Sequence, residues 1–149
     1  MRTTLRVLIA GLGISAVAIA LSIFVAGASQ TAWLGERVYD ALTGWRGPFS
    51  PAWPASMDNE LRFYSALWGG YGLLLLAAAR DMARWDRAIP WLAGVFFAGG
   101  VGRILSVLEV GAPHPFFLML AGVELVLPPV MIGLWLASKR FATGGTADP

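Results

Sequence analysis

One arginine stands inside a stretch that otherwise reads as oil: Arg103, in "GGVGRILSVLEVGAPHP" from 99 to 115. A guanidinium stays charged in a protein, and at the centre of a membrane helix it costs roughly 2.5 to 3.5 kcal/mol on insertion scales. It therefore needs acceptors or water, and Glu124 is the acceptor at the right depth. Arg103 lies about six residues, or about 9 Å, inside its apolar block, and Glu124 about eight residues, or about 12 Å, inside the next. The short "EVGAPHP" link makes those two blocks antiparallel neighbours, so an ion pair is expected, shared with Glu60 if that side chain reaches. Glu60 and Arg62, in "DNELRF", open another block on the same side, where long side chains snorkel to the interface. Ser106 lies one helical turn beyond Arg103. Such a guanidinium can take a phosphate or carboxylate through two parallel hydrogen bonds, and a carboxylate beside it could act as a general acid or base. The candidate ligand-binding set is Glu60, Arg62, Arg103, Ser106 and Glu124.

Other chemistries find little support. The chain has no cysteine and one histidine, His114, so thiol catalysis and iron–sulfur clusters are excluded and no metal or cofactor is expected. His114, between two prolines, reads as a turn residue. "GGYG" at 69–72 has neither the preceding strand nor the following Lys-Ser/Thr of a phosphate loop and reads as helix packing. No catalytic triad order and no H-E-x-x-H motif is present, so no catalytic residue is assigned. Pro128 removes the hydrogen bond to the carbonyl of Glu124, which is either a plain kink or a freed carbonyl added to the polar group.

Four apolar blocks must position these residues, at about 5–26, 61–79, 88–108 and 116–137. Each has the roughly 20 residues that cross a bilayer as a helix. With 57% hydrophobic and 13% charged residues, against about 25% charged in soluble domains, the chain reads as one all-α polytopic membrane four-helix bundle over 1–141. The remainder, 142–149, is a polar, glycine-rich tail. The first block follows a basic start and precedes "VAGASQ", which resembles a signal-peptidase site, but it is longer than the 7 to 15 apolar residues of a signal peptide and is expected to stay as a helix. Arg2, Arg6, Arg80, Arg84, Arg87, Lys139 and Arg140 fall on one side, and Arg37 and Arg46 on the other. Both termini are therefore expected in the cytoplasm, and the basic balance gives no reason to expect nucleic acid. The long extracytoplasmic link at 27–59 is aromatic, with a short helix expected at about 33–42. It reads as an interfacial belt, a lid over an outward opening, or both. Gly94, Ala98, Gly102 and Ser106 recur every four residues and are expected to let a neighbouring helix come close.

The landmarks "ELRF" at 60–63, "GGVGRILS" at 99–106, "GAP" at 111–113 and "VELVLP" at 123–128 resemble the bacterial small four-helix membrane proteins grouped only as a domain of unknown function. A more distant likeness to DoxX-like proteins is at the level of the fold. The resemblance implies four spans in a bacterial inner membrane and marks Glu60, Arg62, Arg103, Ser106 and Glu124; it implies no activity. Three functions stay open. The favoured one is a non-enzymatic binding or accessory subunit with an outer-leaflet polar pocket for a lipid headgroup or partner segment. The others are a membrane-embedded enzyme on a lipid-like substrate using Glu124 or Glu60, and a small proton-coupled transporter. The expected partner is membrane lipid, with a membrane-protein partner or a homo-oligomer left open.

Overall fold

The computed structural model describes residues 1–143, with side chains to 139. All regular structure among them is helical: α1 (Arg2–Ala26), α2 (Ala28–Thr43), α3 (Ala55–Arg80), α4 (Ile89–Val110) and α5 (Pro115–Thr143), with one 3-10 turn at Asp86–Ala88 before α4. The four apolar blocks are α1, α3, α4 and α5, all longer than expected, although α1 ends where expected and α4 begins one residue late. The expected tail loses its first two residues to α5, and the rest of it lies outside the described residues.

Three helical stretches, Arg2–Ala26, Asp86–Val110 and Pro115–Lys139, are long and apolar enough to cross a membrane. At 26 residues α3 has the length as well. Its middle, Trp68-Gly69-Gly70-Tyr71-Gly72, is less apolar than the other three helices, which keeps it out of that group.

The long link holds a larger helix than the sequence suggested. α2 starts directly after α1, and Gly27 alone, with φ 93°, turns the chain between them. Only glycine enters that region without strain. Past α2, Gly44 closes the helix in the left-handed conformation, and Pro48, Pro51 and Pro54 keep the next segment extended until α3 begins.

Two antiparallel pairs make the bundle, α1 with α3 and α4 with α5. In the first, a Cβ on Gly72 would sit 3.0 Å from the carbonyl oxygen of Gly13, and one on Gly13 would sit 3.0 Å from that of Gly72. The "GGYG" motif is thus a packing device, as expected. In the second pair the contact runs through Gly100, where a Cβ would lie 2.9 Å from Leu125 and 3.0 Å from Glu124. The expected ladder does not serve this purpose. Gly94 and Gly102 have nothing within 4 Å of an added Cβ, and Ala98 and Ser106 are exposed on the same side. Four-residue spacing marks a stripe but not which stripe turns inward; here the inward one carries Ala93, Phe96 and Gly100.

The pairs meet in a core that fills one end of the molecule: Leu5 and Ile9 of α1, Leu75 of α3, Ile89 of α4 and Met131 of α5 are all buried. Tyr71, Trp68 and Phe96 stack above it, and the Tyr71 hydroxyl donates to the carbonyl of Leu92 at 2.7 Å. At the near end Asp86 ties the α3–α4 link to α5, accepting from Trp135 Nε1 at 2.9 Å and pairing with Lys139 at 2.9 Å. Around Arg103, at the other end, the packing is open.

Candidate functional site

The axial rise of the helices sets the site. Antiparallel α4 and α5 bring Arg103 and Glu124 to one level, and Arg103 Nε donates to Glu124 Oε2 at 2.7 Å. The expected ion pair is therefore present. The partners differ in exposure, with 9% of the Glu124 side chain exposed and 38% of that of Arg103. Among the described residues Nη1 and Nη2 of Arg103 have no partner. Arg103 also borders three cavities.

One cavity, of about 450 Å³, lies among α1, α3, α4 and α5, with Arg103, Ser106 and Glu124 in its wall beside Tyr64 and Trp68. Of the five residues expected around the pocket it holds Arg103, Ser106 and Glu124 but neither Glu60 nor Arg62, and Ile19 and Ile23 of α1 line it as well. A second, of about 610 Å³, extends between α1, α2 and the start of α5. A third, of about 270 Å³, reaches from Arg103 and Ser106 to Ser50 and Trp53 of the aromatic loop. That loop is held over the site, since the Trp53 amide donates to Ser29 Oγ at 2.9 Å and the Ser50 amide to Glu36 Oε2 at 3.0 Å.

Glu60 and Arg62 do not belong to this group. Glu60 is exposed and has no partner among the described residues. Arg62 turns toward the α1–α2 junction, where Nε donates to Asp58 Oδ2 at 2.8 Å and Nη1 to the carbonyl of Phe24 at 2.6 Å. Asp58 Oδ1 accepts from the Ala28 amide at 3.0 Å. One ion pair thus caps two helix ends, Arg62 serving the unpaired carbonyls of α1 and Asp58 the unpaired amides of α2. Gly27 lies so close beneath it that a Cβ would meet Arg62 at 2.9 Å and Asp58 at 3.0 Å. The bond from Arg62, then that from Ala28, hold the Asp58 carboxyl below its ordinary 3.8. Because the folded-state value is the depressed one, this support is present above pH 3.8 and is lost as pH falls below it.

A second polar cluster escaped the sequence reading. Glu36 is wholly buried, with Oε1 unpartnered among the described residues, although it sits on a helix whose exposed face carries Leu34, Val38 and Leu42. One turn further along α2, Asp40 Oδ1 faces Nε2 of His114 at 3.3 Å, within ion-pair distance but not aligned as a hydrogen bond. His114 does stand in the α4–α5 turn, and its ring is enclosed by Tyr39, Trp45 and Phe49. Its Nδ1 accepts from the Phe116 amide at 3.2 Å, capping α5 ahead of Pro115 at the first helical position. The four-residue spacing of Glu36 and Asp40 was the available signal, and the surrounding apolar residues masked it. No group of three metal-ligating side chains with suitable geometry occurs among the described residues.

Fold and site together define an all-helical protein whose helices include three of membrane-crossing length and apolarity, with an embedded arginine–glutamate pair beside cavities at one end. The chain belongs to the family described as Domain of unknown function (DUF4345), whose model matches residues 4–136. No curated protein matches it, and no solved structure does, so the likeness to DoxX-like proteins gains no support.

Proposed function

We propose that this chain is a non-enzymatic binding or accessory protein of a bacterial inner membrane, with four spans and both termini in the cytoplasm. Its outer-leaflet pocket holds the headgroup of a membrane amphiphile on Arg103. The observation that carries this reading is the state of the guanidinium. It gives only Nε to Glu124, keeps 38% of its side chain exposed, and borders all three of the site's cavities. A cation present only to hold helices together would have its donors consumed by the protein. Ionisable groups within membrane segments mark functional sites by default. Among the described residues the core between the two helix pairs is built of apolar side chains and a tyrosine whose hydroxyl is already bonded, which leaves a transport route no polar lining there.

Lipid analysis of the protein extracted in mild detergent tests the reading. One anionic amphiphile should be enriched over its share of the source membrane, and the enrichment should vanish in Arg103→Gln. An unselective lipid complement in both proteins would overturn it, and chemical conversion of the enriched lipid would replace binding with catalysis.

The four-span topology has its own test in α3, the least apolar of the long helices. Asn59 and Ala83 are exposed at its two ends, and the chain has no cysteine of its own. Asn59→Cys should react with an impermeant thiol reagent added outside intact cells, and Ala83→Cys only after permeabilisation. Reaction of both from outside would leave α3 lying on the membrane rather than across it.

A further inference from the structure

The two larger cavities around Arg103 are largely apolar and share its guanidinium, and that arrangement identifies a ligand class. This step rests on the reading of Arg103 as a headgroup site. The 610 Å³ cavity is walled by the second half of α1, by α2 and by the first turns of α5. Among its described lining residues Arg103 is the only charged side chain. Apart from that of Tyr39, its hydroxyls are already committed: Ser22 and Thr31 bond each other at 2.8 Å, and Thr43 donates to the carbonyl of Tyr39 at 2.8 Å. What is left is apolar wall, kept low by Ala18, Ala28, Ala32 and Gly35. The neighbouring 450 Å³ cavity shares Ile19, Ile23, Leu61 and Arg103 with it and adds Ser106 and Glu124. Both chambers are otherwise largely apolar, and one fixed cation, Arg103, borders both. That is the complement of an amphiphile with one charge.

Charge and size narrow the class. Glu124 already neutralises Arg103, so a bound anion leaves a net negative charge where water is scarce, and the cost grows steeply with that charge. A monoanion is tolerable; a dianionic phosphate monoester is not. A carboxylate also matches the paired terminal nitrogens of a guanidinium, two parallel bonds to two oxygens. A volume of 610 Å³ lies within the range of about 300 to 1,000 Å³ for sites that enclose one small ligand, which suits one long chain rather than two.

We propose that the protein binds a single-chain carboxylate amphiphile, of the long-chain fatty acid class, with its carboxylate on Nη1 and Nη2 of Arg103 beside Ser106 and its chain in the cavity between α1, α2 and α5.

Trp53 lines that cavity, so a dibrominated C18 fatty acid should quench its fluorescence in the full chain reconstituted into phosphatidylcholine nanodiscs. Trp53→Phe should remove most of the quenching. The matching dibrominated alcohol should bind at least tenfold more weakly than the acid. Ala18 is exposed and contributes to the cavity wall, so Ala18→Phe fills the space at little cost to folding and should weaken the acid at least tenfold. Glu124→Gln removes the competing charge and should tighten the acid several-fold, a gain that a purely structural role for the pair would not produce. Equal binding of acid and alcohol, or indifference to Ala18→Phe, would overturn the inference. Dibrominated phosphatidylglycerol then separates the two levels. Quenching by this two-chain lipid that depends on Arg103 but not on Ala18 leaves the headgroup reading standing and removes the fatty acid. Failure of Arg103→Gln to change binding of either ligand removes both.

Discussion

Arg103→Met will destabilise the folded protein more than Glu124→Gln will, although the two residues share one bond. Removing the arginine leaves Glu124, 7% exposed, without its cationic donor. Breaking a fully buried pair costs about 3 to 5 kcal/mol. With 38% of the Arg103 side chain exposed, the pair is only partly enclosed, so a loss of about 1 to 3 kcal/mol is the better expectation. Glutamine at 124 still offers an oxygen to Arg103 Nε and leaves the guanidinium able to draw on water in the adjoining cavities, so it should lose less. The double variant Arg103→Met/Glu124→Gln should be more stable than the sum of the two losses, because neither a buried charge nor a stranded cation remains. The measurement is thermal unfolding in one detergent, followed by loss of the monodisperse species. Strictly additive losses would mean that the two side chains do not interact.

That pair was legible in the sequence because its position follows from one number, the rise per residue, and one topological fact, the short link between two spans. The helix positions were legible for a similar reason, since blocks of apolar residues declare their own length. What the sequence hid depends on tertiary approach. Arg62 and Asp58 look like a polar entrance to α3, and nothing local reveals that the end of α1 and the start of α2 both come to them. Glu36 is hidden because its buried companions on α2, Ala28 and Ala32, are small, and Leu34, Val38 and Leu42 of that helix are exposed. The expectation of a short helix at 33–42 missed its first turn for a related reason. Ala28, Ser29 and Gln30 carry no helix signature of their own, and α2 begins there because Asp58 supplies a cap from thirty residues away. The same difficulty governed α4, where small residues mark two stripes and only contact with α5 distinguishes them.

These rearrangements alter what the family landmarks mean. "ELRF" contributes a structural clamp through Arg62, whereas "GGVGRILS" and "VELVLP" contribute the site through Arg103, Ser106 and Glu124. The apolar cavity, by contrast, is built largely by α2 and the last turns of α1, outside all the landmarks. On the proposed reading, headgroup binding and chain accommodation reside in different parts of the sequence.

Gly72→Leu should cause the largest loss of any single change in the helix interfaces, and Gly102→Ala should cause none. At Gly72 an added Cβ would lie 2.9 Å from Val17, 3.0 Å from Ala16 and 3.0 Å from the carbonyl oxygen of Gly13. The first two are side-chain atoms that could shift by tenths of an ångström. The third is backbone, so α1 must move bodily away from α3, and Leu adds three more carbons to the displacement. Overpacking in well-packed cores costs about 1 to 3 kcal/mol, and displacing a helix along its length puts this change at or beyond the upper end. Folded yield in detergent should fall accordingly, and Gly72→Ala should show a smaller loss of the same sign. At Gly102 the added methyl meets nothing within 4 Å, and alanine is favoured over glycine in a helix interior by about 0.8 to 1.0 kcal/mol. Gly102→Ala should therefore unfold at an equal or higher temperature. A loss at Gly102 matching that at Gly72 would mean that the outward stripe of α4 packs against a second chain, and the comparison of the two variants in crosslinking would then locate the contact.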